Sequence, residues 1–333
     1  MDKERARLLS LIDRFRGRKI AVWGDFILDE YIYGKTRRIS REAPVLIISY
    51  QSQELSLGGA GNSVLNLKAL GAHPLPIGVI GRDECGRKIV DILRARKIPT
   101  KFLLRLADYQ TPLKTRVLAG EENTKKQQIL RIDKEALVLE SASLKTRLNR
   151  ALGEVASRSD ALLISDYNYQ AVQEDIFAHT LPLFKKAGVP VTLDSRYRLL
   201  HFQGISAATP NEPEVEGALH IELNDNFLML KRAGDLLLKN LQSAAILITR
   251  GSRGMALFEK AKQPYLIPVH GPTDIVDVTG AGDTVISVFT LALACGASFR
   301  EATKLANHAG GIVVMKKGTA TLSPDELRAS ISG

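Results

Sequence analysis

The stretch Asp277-Val278-Thr279-Gly280-Ala281-Gly282-Asp283-Thr284 leads directly into an apolar segment, residues 285–294, which ends before Gly296. This pattern predicts a buried helix with a glycine-rich first turn. Such a turn offers unpaired backbone N–H groups and the positive end of the helix dipole, and glycines let an anion approach closely. A carboxylate beside an anion is unfavourable unless it acts as a base. We therefore predict that Asp283 takes a proton from an attacking hydroxyl while the N–H groups hold a phosphoryl group. An ordinary capped helix is the alternative.

The composition of the 333-residue chain is that of a soluble globular protein with one or two domains, since 45% of the residues are hydrophobic and 25% charged. A formal net charge of +10 suits acidic substrates such as nucleotides and sugar phosphates. We find no nucleic-acid-binding motif, no apolar run long enough to cross a membrane and no signal peptide. The two cysteines, Cys85 and Cys295, lack metal-ligand spacing, which favours a reducing, cytoplasmic location.

Strand-like and helix-like segments alternate along the first hundred residues. A buried strand is expected at 19–23, a glycine-rich turn at 57–62, a helix at 63–70, a strand at 76–81 and a helix at 84–96. This alternation predicts a parallel sheet flanked by helices.

Two familiar nucleotide-binding motifs do not fit. Only Gly24 of a Gly-x-Gly-x-x-Gly fingerprint follows the first strand, which argues against a Rossmann dehydrogenase. The sequence Gly34-Lys35-Thr36 looks like the end of a P-loop, but Asp29 stands where that motif needs glycine.

The octet that ends at Thr284 resembles the second signature of the ribokinase-like (PfkB) sugar kinases, and residues 57–62 resemble their first signature. This resemblance implies an α/β fold over residues 1–333, a single ribokinase-like kinase domain with a mostly parallel central sheet flanked by helices and a small β lid. The lid would come from about 31–50 and 111–133. In the second of these, two strand-like runs joined by the polar segment 120–126 predict a hairpin.

Several segments resemble a narrower group, the heptose-7-phosphate kinases of lipopolysaccharide inner-core synthesis. These segments are 24–31, 38–45, the Lys-x-Arg element at 114–116 and the Gln-Gln-x-x-Arg element at 127–131. The sequence departs from that group at Arg41 in place of Pro, at Tyr169-Gln170 in place of Lys-Gly, and at Ser195-Arg196 in place of Pro-Lys. The missing lysine leaves the exact sugar open.

The resemblance implies roles for individual residues. The catalytic set would be the base Asp283 with the anion-hole residues Gly280, Ala281 and Gly282. The sugar would be bound by Asp29, Gly58, Gly59, Asn62, Lys114, Arg116 and Arg131. ATP would be bound by Asn211, Glu212, Pro213, Glu214, Thr249, Gly251, Gly254 and Asn307. Of these, Asn211 and Glu214 would hold Mg²⁺ through water, and the use of K⁺ is left open.

For several of these residues a structural role is the alternative. Asp29 could cap a loop, Asn211 could cap a short helix, and the lid cations could lie on a solvated face. Arg37 and Arg38 fit an exposed strand edge as well as a phosphate clamp. His308, which follows Asn307, is expected to be structural.

The implied reaction transfers the γ-phosphate of ATP to a sugar hydroxyl. By resemblance, the substrate is D-glycero-D-manno-heptose 7-phosphate, phosphorylated at its anomeric hydroxyl to the 1,7-bisphosphate. A phosphorylated substrate would also pair with the cations expected near the sugar, which are Arg37, Arg38, Lys114, Arg116, Arg131 and Arg196.

We also expect a stand-alone kinase, because the chain ends soon after residue 327, and a homodimer through the lid, because a hairpin cannot bury both of its faces alone. The alternatives are a kinase for another sugar, such as fructose or ribose, and a catalytically silent sugar- or nucleotide-binding relative.

Overall fold

Two β-sheets and their flanking helices make up the computed structural model, which describes residues 2–121, 126–138, 140–271 and 275–332. The strands are β1 (Lys19–Gly24), β2 (Phe26–Ile39), β3 (Leu46–Gly59), β4 (His73–Gly81), β5 (Phe102–Leu106), β6 (Leu113–Gly120), β7 (Gln127–Lys134), β8 (Ala161–Asp166), β9 (Val191–Ser195), β10 (Ala207–Ala208), β11 (Ala245–Thr249), β12 (Met255–Glu259) and β13 (Tyr265–Ile267). The helices are α1 (Asp2–Asp13), α2 (Ala60–Ala69), α3 (Glu84–Ala95), α4 (Ala142–Ala156), α5 (Glu174–Lys186), α6 (Glu212–Leu219), α7 (Phe227–Asn240), α8 (Ala281–Ala294), α9 (Phe299–Val313) and α10 (Pro324–Ser332).

The central sheet has the strand order β13-β12-β11-β10-β9-β8-β1-β4-β5. Its strands pair in parallel from β11 to β5, whereas β12 and β13 add an antiparallel edge. Within β1, Ile20 and Val22 pack into one core cluster and Ala21 and Trp23 into the other, because successive side chains of a strand point to opposite faces. The predicted mostly parallel sheet, covered on both faces, is confirmed.

The second sheet is the lid, with the strand order β3-β2-β6-β7. β2 pairs antiparallel with β3 and parallel with β6, and β6 pairs antiparallel with β7. The first two lid strands extend beyond the predicted range 31–50, so that Asp29 and Gly58 lie within them. Of the predicted linker 120–126, residues 122–125 lie outside the described residues.

The elements that carry the predicted motifs meet at one edge of the central sheet. The carboxyl ends of β1, β8, β9 and β11 share this edge, as they must in a parallel sheet, and polar residues follow each of these strands. α2 begins at Ala60, earlier than the predicted residue 63, which places Asn62 in its first turn. The described helices include none with the length and apolar character needed to span a membrane.

Candidate active site

The N-terminus of α8 is shaped by Gly280, which adopts a left-handed conformation with φ 76° and ψ 7°. A Cβ at Gly280 would lie 2.4 Å from Nδ2 of Asn62, so a side chain there would collide with it. The N–H of Ala281 donates to the carbonyl of Val278 at 3.2 Å. Among the described residues, the N–H groups of Gly282 and Asp283 have no backbone acceptor. Both N–H groups lie at the positive end of the helix and can therefore hold an anion.

Asp283, in the first turn of α8, is 2% exposed, and each of its carboxylate oxygens accepts a hydrogen bond. Nδ2 of Asn62 lies 2.9 Å from Oδ2, and the hydroxyl of Tyr167 lies 3.0 Å from Oδ1. Burial raises the pKa of Asp283 to about 7, although the two donors act in the opposite direction. A carboxylate that titrates near neutrality is suited to accept a proton from a hydroxyl. The sequence pointed to Asp283 and Asn62 but not to Tyr167.

The two glycines at the end of β3 leave room for side chains of the cleft. A Cβ at Gly58 would lie 2.5 Å from Oδ2 of Asp29. Gly59 has a φ of +57°, and a Cβ there would lie 2.7 Å from the carbonyl oxygen of Asp25 and 3.3 Å from Cδ2 of Tyr167. The Gly-Gly motif predicted to line the sugar thus gives Asp29 and Tyr167 their positions.

The lid brings one buried carboxylate and three of the predicted cations together. Asp29 is 3% exposed and forms an ion pair with Arg116. Burial raises the pKa of Asp29, and Arg116 partly offsets this rise. Arg131 pairs with Asp133 at 2.9 Å. Lys114 is 7% exposed, and in the described part of the chain it has neither an ion pair nor a hydrogen bond.

A cavity of about 520 Å³ lies between Lys114 and the loops that follow β8 and β9. Arg131, Tyr167, Tyr169 and Arg196 contribute to its lining. Tyr169, which stands where the heptose kinases have lysine, is 6% exposed. Its hydroxyl donates to a carboxylate oxygen of Glu135, and Nζ of Lys114 lies 5.8 Å from the centroid of its ring. A positive charge is therefore present beside residue 169, and it is that of Lys114 on β6.

α6 opens with a capping box, as the sequence allowed. Oδ1 of Asn211 accepts from the N–H of Glu214 at 2.9 Å, and Oε2 of Glu214 accepts from the N–H of Asn211 at 2.8 Å. Pro213 fits the first turn because its missing N–H is not needed there. The helix-cap interpretation of Asn211 therefore holds, and any role toward a metal comes in addition to it. Burial raises the pKa of Glu214 to about 7.

Asp194, at the end of β9, is a carboxylate that the sequence analysis did not assign to the metal. Burial, followed by the nearby carboxylates of Glu214 and Asp283, raises the pKa of Asp194. Half-buried carboxylates that disfavour one another's charge are stabilised by a divalent cation, so Asp194 and Glu214 fit Mg²⁺. Within the described residues, no group of three or more His, Cys, Asp or Glu side chains could hold a metal. Water and substrate phosphates would therefore complete the shell, as is usual for Mg²⁺.

The last residue of β11 and the loop that follows it carry three of the residues predicted to bind ATP, Thr249, Gly251 and Gly254. The N–H of Thr249 donates to the carbonyl of Pro210 at 2.9 Å, which ties this loop to the start of α6. Gly251 and Gly254 both have positive φ values, +55° and +79°. A Cβ at Gly254 would lie 2.0 Å from the carbonyl oxygen of Ile267, so packing against β13 alone accounts for this glycine.

Glu212 joins α6 to the same loop. It is 9% exposed, lies 2.9 Å from Arg250 and also pairs with Arg253. Its carboxylate is thus engaged by two guanidinium groups, which favours a structural role over direct contact with nucleotide phosphates.

The remaining predicted residues do not present a free polar group to the cleft. Arg37 and Arg38 are exposed at the far end of β2. Asn307 is 4% exposed, and its Nδ2 donates to the carbonyl of Pro268 at 2.9 Å. His308 is held among neighbours that lower its pKa to about 4, with burial the largest cause.

The family of this chain follows from its similarity to known proteins. Residues 18–326, nearly the whole chain, match the profile of the pfkB family carbohydrate kinases. The chain belongs to the pfkB family. The predictions of this family, and of an enzyme that is a carbohydrate kinase, are confirmed.

The sequence relatives agree with the assignment to the pfkB family, and solved structures agree with the fold. The bifunctional protein HldE of Geotalea uraniireducens is 38% identical over 331 residues, which cover 98% of this chain and 66% of that protein. The chain thus spans about two thirds of the length of the curated relatives that it matches. Arabidopsis thaliana ribokinase complexed with ribose and ATP has a TM-score of 0.71 at 20% identity, covering 96% of this chain and 99% of that one. Escherichia coli phosphofructokinase-2 in complex with potassium has a TM-score of 0.74 at 18% identity, covering 95% and 100%. The ribokinase-like fold is confirmed.

Proposed function

We propose that this pfkB sugar kinase transfers the γ-phosphate of ATP to the anomeric hydroxyl of D-glycero-D-manno-heptose 7-phosphate, giving the 1,7-bisphosphate. The observation that carries the proposal is the position of Asp283, a buried carboxylate whose pKa is raised to about 7, beside two N–H groups of α8 that have no backbone acceptor among the described residues. The similarity to HldE and the heptose-kinase segments 24–31 and 38–45 support the heptose phosphate as substrate. We also propose that residues 1–333 form one kinase domain.

In the proposed reaction, Asp283 accepts the proton of the anomeric hydroxyl. The sugar oxygen forms a bond to the γ-phosphorus, the bond from that phosphorus to the β–γ bridging oxygen breaks, and ADP leaves with the electron pair. The N–H groups of Gly282 and Asp283 stabilise the oxygens of the transferring group, where negative charge is concentrated. Asp29 binds sugar hydroxyls and orients the acceptor toward Asp283. Asn62, predicted to bind the sugar, is fully buried and donates to Asp283 and to the carbonyl of Gly280, so its part is to hold the base.

Two cations belong to the proposal. Bound Mg²⁺ neutralises charge on the nucleotide phosphates, and Asp194, Glu214 and Asn211 are the residues that would hold it, largely through water. We include K⁺ because a protein of the same fold, Escherichia coli phosphofructokinase-2, has a structure in complex with potassium. Assays with and without K⁺ at constant ionic strength test its requirement.

The proposed site for the substrate's own phosphate is the cavity beside Lys114. Arg116 is already neutralised by Asp29, and Arg131 by Asp133, so these guanidinium groups have little unmet charge. Lys114 is nearly buried and forms no ion pair in the described residues, although the carboxylates of Asp133 and Glu135 line the same cavity. Burial, followed by Arg196, lowers the pKa of Lys114. A phosphate monoester would reverse this destabilisation of the ammonium and would form charge-assisted hydrogen bonds with it.

A coupled ADP-release assay tests the proposal. The acceptors are heptose 7-phosphate, unphosphorylated heptose, fructose and ribose, each at saturating ATP and Mg²⁺. The expected result is the highest kcat/KM for heptose 7-phosphate. A preference for fructose or ribose would leave the sugar-kinase assignment intact and overturn the heptose proposal. Nucleotide binding without ADP release, whichever acceptor is supplied, would favour a catalytically silent relative.

The proposed assembly is a homodimer through the lid. On the face of β7 opposite to Arg131, Leu130 and Ile132 are 52% and 48% exposed, and Leu46 and Tyr50 of β3 are also exposed. Both edge strands of this four-stranded sheet, β3 and β7, lack a further partner strand among the described residues. An exposed apolar sheet face with open edges is stabilised when a second copy covers it. A cytoplasmic location is proposed as well, because the two cysteines are unpaired.

A further inference from the structure

The hydroxyl of Tyr167 and the side-chain amide of Asn62 hold opposite oxygens of Asp283. The hydroxyl lies 3.0 Å from Oδ1, and the amide nitrogen lies 2.9 Å from Oδ2. With both oxygens engaged, the carboxylate cannot rotate about its Cβ–Cγ bond without losing a hydrogen bond. Each oxygen still has a second lone pair, so the carboxylate can accept the substrate hydroxyl in a fixed orientation.

Tyr167 is itself held by a dedicated support. Asp25, which is 1% exposed, accepts hydrogen bonds from the backbone N–H groups of Tyr167 (2.8 Å), Tyr169 (3.0 Å) and Ala171 (3.0 Å). Between them, Asn168 and Gln170 adopt positive φ values of 67° and 68°, which are uncommon for residues other than glycine. Because every second residue has a positive φ, the N–H groups of residues 167, 169 and 171 all point toward the Asp25 carboxylate, and these hydrogen bonds fix the loop.

The ring of Tyr167 also depends on a glycine from another element. A Cβ at Gly59 would lie 3.3 Å from Cδ2 of the ring, which is tighter than ordinary van der Waals contact. The end of β1, the end of β3 and the loop after β8 therefore all place this hydroxyl on Asp283. A tyrosine that served only to fill space would not need a hydroxyl at hydrogen-bond distance from a buried carboxylate.

We propose that Tyr167 is a positioning residue for phosphoryl transfer: its hydroxyl orients the Asp283 carboxylate and stabilises the ionised, proton-accepting form. The inference rests on the proposed role of Asp283 as the base. Tyr167 acts through Asp283 and exchanges no proton with the sugar.

The electrostatic surroundings explain why such a donor is needed. The charged groups that face Asp283 are Asp29 on β2, Asp194 on β9 and Glu214 on α6, with Arg116 beside Asp29 and Arg196 beside Asp194. Burial and the carboxylates raise the pKa of Asp283, while Asn62 and Tyr167 lower it. Burial and Asp283 also raise the pKa of Tyr167, which keeps its hydroxyl protonated and able to donate. Since the ionised carboxylate is the active base, removing a donor should move the loss of activity to higher pH.

The test compares the pH dependence of kcat, from about pH 6 to about pH 9, in wild type, Tyr167→Phe and Tyr33→Phe. The Tyr33 hydroxyl, on β2, also donates to a carboxylate, that of Glu54 at 3.2 Å, so its removal is the matched control. In Tyr167→Phe we expect the acidic limb to move up by about one pH unit or more, because the ionised form loses a charge-assisted hydrogen bond. Activity should fall about tenfold at the acidic end and recover at high pH. In Tyr33→Phe the limb should stay where it is in wild type.

Asp283→Asn separates failure of this inference from failure of the proposed function. If Asp283→Asn is inactive and the acidic limb of Tyr167→Phe coincides with that of wild type, the positioning role is wrong while the base assignment stands. An equal loss of kcat at every pH in Tyr167→Phe also contradicts the inference, because it indicates a structural defect. If Asp283→Asn retains turnover, the base assignment itself is wrong. Thermal melts of all variants show whether each one is folded.

Discussion

Nζ of Lys114 lies 5.8 Å from the centroid of the Tyr169 ring, so a lysine from the lid occupies the space above a tyrosine that replaces the lysine of the heptose kinases. The ring can stabilise the ammonium by a cation–π interaction, yet it leaves the N–H donors free. Relative to that group, the replacement at residue 169 removes one positive charge, and Lys114, which belongs to the shared Lys-x-Arg element, still supplies one to the cavity.

Lys114→Met should weaken binding of a phosphorylated acceptor selectively. The methionine keeps the apolar stem but removes the charge, so KM for heptose 7-phosphate should rise about 30-fold or more, corresponding to about 2–5 kcal/mol for a buried pair. KM for ATP should change little. Arg37→Ala, which removes an exposed lid cation, is the control and should behave as wild type. An equal loss of affinity for ATP would place Lys114 at the nucleotide instead.

Asp283→Asn should abolish most turnover while preserving the nucleotide site. The amide keeps the shape of the side chain but cannot accept the proton, so kcat should fall by roughly 10²–10⁴. Stopped assays give kcat, and fluorescence titration with a labelled nucleotide gives the affinity, which should stay within a few-fold of wild type. Near-normal turnover would contradict the role of Asp283.

Gly58→Ala should disturb the sugar site through Asp29. The added methyl would lie 2.5 Å from Oδ2 of Asp29, and the ion pair with Arg116 hinders that carboxylate from moving away. We expect a destabilisation of about 1–3 kcal/mol and a higher KM for the sugar. Gly153→Ala in α4 is the control: its nearest neighbour would be 4.0 Å away, and a stabilisation of up to about 1 kcal/mol is expected. Equal thermal melts and equal KM values for the two variants would refute this account.

Charge on the outer lid face should separate the proposed dimer. Leu130→Asp combined with Ile132→Asp places two carboxylates where a second copy would pack, so sedimentation velocity should show a shift from dimer to monomer. Leu228→Asp introduces a charge at another exposed apolar residue, 74% exposed at the start of α7, and should leave the assembly unchanged. A wild-type protein that sediments as a monomer at high concentration would rule out the lid-mediated dimer.

Two kinds of feature in the site were predictable from sequence. One is a contact between residues close together in the chain, and the other is a backbone conformation that requires glycine. The glycine-rich turn before Asp283 and the cap formed by Asn211 and Glu214 are of this kind. The alternation of strands and helices likewise revealed the parallel sheet. The predicted lid range 31–50 is too narrow at both ends, because β2 and β3 continue, without a turn signal, to the edge of the central sheet.

The side-chain pairs of the cleft could not be predicted, because they depend on strand register. Arg116 reaches Asp29 because β2 and β6 pair in parallel with Asp29 opposite Lys114 and Tyr31 opposite Arg116. A shift of the register by one residue would have turned these cations to the outer face. Tyr167 meets Asp283 across 116 positions of sequence, and no local pattern around either residue reports that contact.

The two long lid strands meet the active site at one end and a turn at 40–45 at the other. β2 begins next to Asp25, which holds the backbone of Tyr167, and β3 ends at Gly59, close to Asn62. The active-site ends of both strands, here called their roots, are therefore joined to the hydrogen bonds around Asp283. The turn at 40–45 lies beyond 14-residue strands, roughly 40–45 Å along the chain from those roots at about 3.3 Å per residue. Mutations can therefore accumulate at the tip without displacing the proton acceptor. Evolution can change the turn at 40–45, and with it the surface offered to a partner, while the active site around Asp283 stays the same.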